Sequence, residues 1–202
     1  SFLFMLYWLY HIIYGVRMST KVNESVKTKE SKVISIVNQK GGVGKTTTAV
    51  NLSAFLAQAG YKTLLIDFDP QANATSGIGL KPDCINFSVY HLLESASNLD
   101  NVLCPTAFSN LHVFPSGKEL AGAEVELASV KNRELYLKER LSKVRYYYDY
   151  VIIDCAPSLG LLTVNALVSS DRAIIPVQCE YYALEGLSQL LNTIRLVQKH
   201  LN

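Results

Sequence analysis

The sequence predicts an α/β fold: a single domain in which a mostly parallel central sheet carries helices on both faces. Three observations carry that expectation. From residue 32 onward, short β-branched runs alternate with helical patterns, and strands separated by helices form a parallel sheet covered on both sides. Hydrophobic residues make up 49% of the 202-residue chain and charged residues 18%, which is enough to bury a core and too apolar for disorder. The conspicuous polar residues (Lys40 to Thr46, Asp67 with Asp69, and Asp154) fall where strands end. That is the edge of an open α/β sheet on which ligands bind.

The elements follow in order. Val33 to Val37 is a β-branched run, read as a buried strand. A Gly-rich turn at Gly41 to Gly44 leads into a helix over Thr46 to Ala59, with Ala49, Leu52, Phe55 and Leu56 at helical spacing and Gly60 as C-cap. Thr63 to Ile66 is a second buried strand, ending in Asp67 and Asp69. Residues 70–87 are rich in Gly, Asn, Pro and Asp and read as loop; Ser88 to Glu94 reads as a short helix. Leu111 to Phe114 is a strand stopped by Pro115, and helical stretches cover 118–128 and 131–144. Tyr150 to Ile153 is a third apolar strand, closed by Asp154. A helix over Leu161 to Val168, a strand over Ala173 to Val177 and a long amphipathic helix over Tyr182 to Lys199 complete the reading.

The first 31 residues stand apart. Phe2 to Val16 is almost wholly apolar or Tyr, yet shorter than the roughly 20 residues a membrane span needs. Arg17 follows the apolar run instead of preceding it, which argues against a signal peptide. Met18 opens a more ordinary start, so the protein proper is expected to begin there. Residues 1–31 are read as extension and flexible leader, and 32–202 as the domain. A short membrane-surface anchor is the alternative for residues 1–17, but their apolar face is unbroken by basic residues.

Charge and cysteine usage narrow the class. Nineteen basic against 17 acidic residues give a net charge of +2, so the chain has no global basic field for coating nucleic acid. Cys84, Cys104, Cys155 and Cys179 show no CxxC or CxxH spacing and read as reduced thiols. Tyr146, Tyr147, Tyr148 and Tyr150 precede a buried strand, which favours packing over base stacking; Arg195, Lys199 and His200 suit a helix C-terminus.

The run Lys40-Gly41-Gly42-Val43-Gly44-Lys45-Thr46-Thr47 lies between a strand and a helix. A phosphate-binding loop needs glycines so that backbone N–H groups can turn inward around an anion. It needs a helix N-terminus, whose free N–H groups and dipole favour negative charge. It needs a Lys for the outer phosphates and a hydroxyl for Mg²⁺, and Lys45 and Thr46 fit. The GxxxxGK[ST] pattern is not quite met: Gln39 stands at its first Gly, and an additional lysine, Lys40, adjoins the double glycine. Asp154 is the candidate for a water-mediated contact to Mg²⁺ opposite Thr46, because this cation is held by few protein oxygens. Asp67 supports the same water shell in this reading, and Asp69 faces the space beyond the γ-phosphate, where it could orient the attacking water.

These residues resemble a known family. Asn38 to Ala49 followed by Asp67-Phe68-Asp69-Pro70-Gln71-Ala72-Asn73-Ala74-Thr75 is similar to the ParA/Soj branch of the ParA/MinD family of deviant Walker A ATPases. Tyr150 to Gly160 resembles its Walker B and switch II segment, and Pro176 to Leu187 a later segment of the same branch. The resemblance implies an ATP- and Mg²⁺-dependent ATPase of the P-loop NTPase fold, acting in chromosome or plasmid partition. ATP would bring two subunits together, with Lys40 crossing to the partner's phosphates, where it would stabilise transition-state charge. Lys45 and Thr46 match the phosphate and magnesium ligands, Asp69 the water-activating residue and Asp154 the Walker B carboxylate. The dimer would bind DNA without sequence preference, a ParB-type partner would stimulate hydrolysis, and the protein would be cytoplasmic and nucleoid-associated, with no stable membrane association. Family members usually continue beyond the helix ending near Asn202, so much of the adenine pocket and basic DNA surface is expected to be missing. A MinD-like positioning ATPase and an iron–sulfur protein related to the nitrogenase iron protein are the alternatives.

Overall fold

A computed structural model of the chain describes residues 30–81, 85–94, 99–178 and 183–201. The N-terminal extension, the start expected at Met18, Cys84, and the stretch from Cys179 to Tyr182 lie outside the described residues. Six strands form one sheet in the order β3-β4-β2-β5-β1-β6. They are β1 (Lys32–Ile36), β2 (Thr63–Phe68), β3 (Cys104–Pro105), β4 (Leu111–Phe114), β5 (Tyr150–Cys155) and β6 (Arg172–Ile174). Every pairing is parallel except β3 with β4, so the expected mostly parallel α/β sheet is the one observed.

Apolar alternation divides the strands between two faces. In a parallel pair, residues in register point to the same side of the sheet. Leu65 of β2 is opposite Ile152 of β5 and Val113 of β4. With Ile36 they form one core, against Ala49, Leu56 and Ala57 of α1 (Lys45–Gln58). Residues of the other parity, among them Val33, Leu64, Ile66, Phe68, Val151 and Ile153, form a larger core. Helices on that side include α3 (Val89–Glu94), α5 (Leu120–Glu126), α6 (Tyr136–Ser142), α7 (Leu161–Ser169) and α8 (Ala183–His200). Strand β5 lies between β1 and β2 and is buried from Val151 onward, which explains its unbroken apolar run.

Several elements depart from the sequence reading. Residues 70–87, expected to be loop, contain α2 (Asn73–Gly77). Its N-cap is Ala72 in the left-handed region, without a side-chain cap. The missing cap comes from a strand instead, as the site geometry shows below. Helix α4 (Leu99–Val102) and β3 are further additions. The two helical stretches at 118–128 and 131–144 each tighten into α-helix plus a 3₁₀ turn, Leu127–Ser129 after α5 and Arg133–Leu135 before α6. Strands β2 and β5 run through Asp67 and Asp154 instead of stopping before them. Strand β6 is offset to Arg172–Ile174 and exposed throughout.

Candidate functional site: buried carboxylates beside a glycine loop

The phosphate-type loop leaves β1 and enters α1 with its backbone strained where glycine tolerates it. Gly42 has φ of +74° and Gly44, the N-cap of α1, has φ of +92°, a region costly for residues with a Cβ. A Cβ at either position would meet nothing within 4 Å, so conformation, not crowding, demands glycine there. The Gly44 cap offers no side-chain acceptor and the first turn of α1 carries no acidic residue. The N–H groups opening the helix are therefore available to an external anion.

The sequence-predicted carboxylates lie beside this loop: Asp154 and Asp69 act on its Lys45, and Asp67 adjoins Asp154. Asp67 and Asp154 are register partners on β2 and β5, on the face that α1 covers, and both are fully buried. Lys45, the first residue of α1, is buried as well. Its ammonium donates to the Lys40 carbonyl at 3.0 Å. Burial lowers its pKa, while the charges of Asp154 and Asp69 oppose that fall. Thr46 follows beside Asp154. Lys40 is exposed on the outer rim, where its N–H donates to Asn38 Oδ1 at 3.0 Å. Val43 is buried under the loop, and Gly41, Gly42 and Thr47 face outward.

The two buried carboxylates differ in what surrounds them. Asp67 Oδ2 accepts from the Thr75 N–H and the Thr75 hydroxyl, both at 2.7 Å, and Oδ1 accepts from the Asp69 N–H at 3.3 Å. Burial still raises its pKa to about 6, against the pull of those donors. This carboxylate is the cap that α2 lacks locally. Both oxygens of Asp154 are buried with no hydrogen-bond partner. Burial raises its pKa to about 7; the neighbouring Thr46 hydroxyl and the Lys45 ammonium oppose the rise, and Asp67 and Asp69 add to it. A buried carboxylate left without donors is costly unless a cation satisfies it. A hydrated Mg²⁺ opposite Thr46 fits that requirement. Asp69 is buried, and its Oδ1 accepts from the Gln71 N–H at 2.9 Å in an Asx-type turn. Cys155, the residue after Asp154, belongs to the opposite core and is buried.

Four residues with no assigned role in the sequence reading also shape the site. Thr75 holds Asp67 and accepts from the Ser116 N–H at 3.0 Å, tying β2 to the end of β4. Asn38 donates to the Pro176 carbonyl at 2.8 Å, Gln39 to the Gly186 carbonyl at 2.9 Å, and Gln178 to the Gly42 carbonyl at 3.2 Å. Polarity at the end of an apolar strand is the one local signal for Gln178; Thr75 sits in a segment whose composition spells loop.

With that geometry established, comparison with known proteins adds four findings. A family model described as an AAA domain matches residues 31–202. The chain is 58% identical over 171 residues to sporulation initiation inhibitor protein Soj of Bacillus subtilis (strain 168), covering 85% of this chain and 68% of that protein. It is 55% identical to chromosome partitioning protein ParA of Myxococcus xanthus (strain DK1622), covering 85% and 60%. Among solved structures, cobyrinic acid a,c-diamide synthase from Mycobacterium smegmatis with bound ATP analog and magnesium is similar with a TM-score of 0.82 at 41% identity. That match covers 85% of this chain and 70% of the other. The chain thus spans 60–68% of the length of these two curated relatives.

Proposed function

Because this chain belongs to the ParA/Soj branch of the deviant Walker A ATPases, within the AAA domain family, we propose that it is an ATPase of DNA partition. The carrying observation is Asp154: a fully buried carboxylate with two unpartnered oxygens, set beside a glycine loop, a buried lysine and a threonine at a helix start. That set suits a metal–triphosphate and has no evident role in the fold alone.

In this reading the N–H groups of Gly41 to Thr47 cradle the phosphates of ATP, and Lys45 turns its ammonium from the Lys40 carbonyl to the outer phosphates. Thr46 and Asp154 would hold Mg²⁺, whose chemistry when bound is to neutralise charge on the phosphate oxygens. Asp67 has spent three lone pairs on Thr75 and Asp69 and offers what remains to the surrounding water. Asp69 orients the attacking water. Exposed Lys40 reaches the nucleotide of a second copy in an ATP-dependent homodimer. We extend the proposal to the whole protein: non-specific DNA as the dimer's substrate surface, and a ParB-type partner as the trigger for hydrolysis. Support comes from the partition relatives; among the described residues, no helix is long and apolar enough to cross a membrane.

The test is ATP hydrolysis and Mg²⁺-dependent nucleotide binding by the parent, Lys45→Ala and Asp69→Ala, with and without DNA and a ParB-type protein. The proposal requires tight, Mg²⁺-dependent binding by the parent. A parent chain that fails to bind Mg·ATP sinks it.

A further inference from the structure

Each N–H that turns into a phosphate cradle has a carbonyl at the far side of its peptide plane. A trans peptide points its C=O and the next N–H in opposite directions. A donor that grips the Gly42 carbonyl therefore sets the direction of the Val43 N–H. Gln178 supplies that donor, its Nε2 lying 3.2 Å from the Gly42 oxygen across 136 positions of sequence. Packing does not fix this peptide by itself, since Gly42 is exposed and a Cβ there would touch nothing within 4 Å. The neighbouring residue, Val43, is anchored by burial. The peptide between them thus pivots on a buried residue and is steadied by one remote amide.

The chain that follows β6 is tied to the loop at two more points. Asn38 donates to the Pro176 carbonyl, and Gln39 donates to the Gly186 carbonyl in the first turn of α8. Three side-chain amides thus bridge residues 38–42 and 176–186, and each ends on a backbone carbonyl. Backbone carbonyls move only when the chain moves, so a shift in the loop would act through these contacts on the chain at Pro176 and on α8 at Gly186.

We propose that Gln178 is a positioning residue for triphosphate binding, orienting the Val43 N–H toward the phosphates, and that Gln39 couples the loaded loop to the first turn of α8. This rests on the reading that the loop binds ATP.

The experiment uses a fluorescent, non-hydrolysable ATP analogue with Mg²⁺, amide NMR of the loop, and hydrogen exchange of α8. Gln178→Met keeps length and removes the donor; Gln178→Ala is the second variant. Both are expected to bind the analogue roughly three- to tenfold more weakly, the scale of one hydrogen bond. The downfield shift of the Val43 amide on binding is expected to shrink, with thermal stability unchanged. Gln39→Met is expected to keep the Val43 signal and lose the exchange protection that the analogue confers on α8 amides 184–190. Unchanged affinity and an unchanged Val43 signal in the Gln178 variants overturn the proposal, as does a general loss of stability in both. If the parent does not bind the analogue, the function proposed above fails and this inference with it; if the parent binds and the variants match it, only this inference fails.

Discussion

Asp67 on β2 and Asp154 on β5 face each other in adjacent parallel strands, fully buried on one face of the sheet. Adjacent strands lie about 4.8 Å apart, close enough for the Asp67 charge to add to the rise in the Asp154 pKa. Asp67 is satisfied by Thr75 and Asp69, whereas the Asp154 oxygens accept no well-formed hydrogen bond and have only the Thr46 hydroxyl and the Lys45 ammonium nearby to offset their charge. The asymmetry assigns the unmet need for positive charge to β5, beside Thr46 and Lys45.

Stability at neutral pH should therefore suffer from Asp154. Its folded pKa, about 7, lies above the ordinary carboxylate value, so the folded state binds more protons than the unfolded chain between about pH 4 and 7. Stability from this group is full below the unfolded pKa and falls as pH rises through that window. Asp154→Asn is expected to be more stable than the parent by about 1–3 kcal/mol near pH 7.5, with the difference vanishing near pH 4. Urea unfolding at the two pH values measures it. Saturating Mg·ATP should reverse the order, because binding stabilises the parent alone. A difference independent of pH would contradict the charged-carboxylate account.

Thr75→Val should weaken the fold without touching the loop. The substitution keeps the shape, removes one donor from Asp67 and leaves the Ser116 N–H without its acceptor. Leaving such a buried donor unsatisfied costs about 1–3 kcal/mol. Asp67, deprived of a bond to its charged form, should titrate higher still. Chemical denaturation gives the first effect and carboxyl NMR the second; a neutral substitution would show that the Asp67–Thr75 contact is dispensable.

Lys45→Ala should abolish useful nucleotide affinity. The ammonium would otherwise make charge-assisted bonds to phosphate, and loss of one is worth roughly ten- to hundredfold or more. Calorimetric titration with Mg·ATP reads this directly. Asp69→Ala should instead bind normally and turn over at least about a hundredfold more slowly, the scale of one general base. Equal turnover by Asp69→Ala and the parent would remove Asp69 from the mechanism.

Lys40→Ala separates dimerisation from nucleotide binding. Lys40 is exposed on the rim, so the variant should melt like the parent and retain monomer affinity for ATP within about threefold, as a surface substitution does. Light scattering with a non-hydrolysable ATP analogue should show the parent dimeric and Lys40→Ala monomeric. Dimers of equal strength would count against a cross-subunit lysine.

The strand, glycine loop and helix from Val33 to Ala59 were legible in the sequence, because alternation, helical spacing and positive-φ glycines act over a few residues. Lys45 and Thr46 are placed by that local order alone, at the opening of α1. The tertiary structure alone decided the rest of the site. Strand register set Asp67 beside Asp154 across 87 positions, and chain packing brought Gln178 to the Gly42 carbonyl. Helix α2, hidden in a loop-like composition, is capped by a carboxylate eight residues upstream in a strand. Contacts of this kind depend on which strands become neighbours and in what register, and no window of local pattern carries that information.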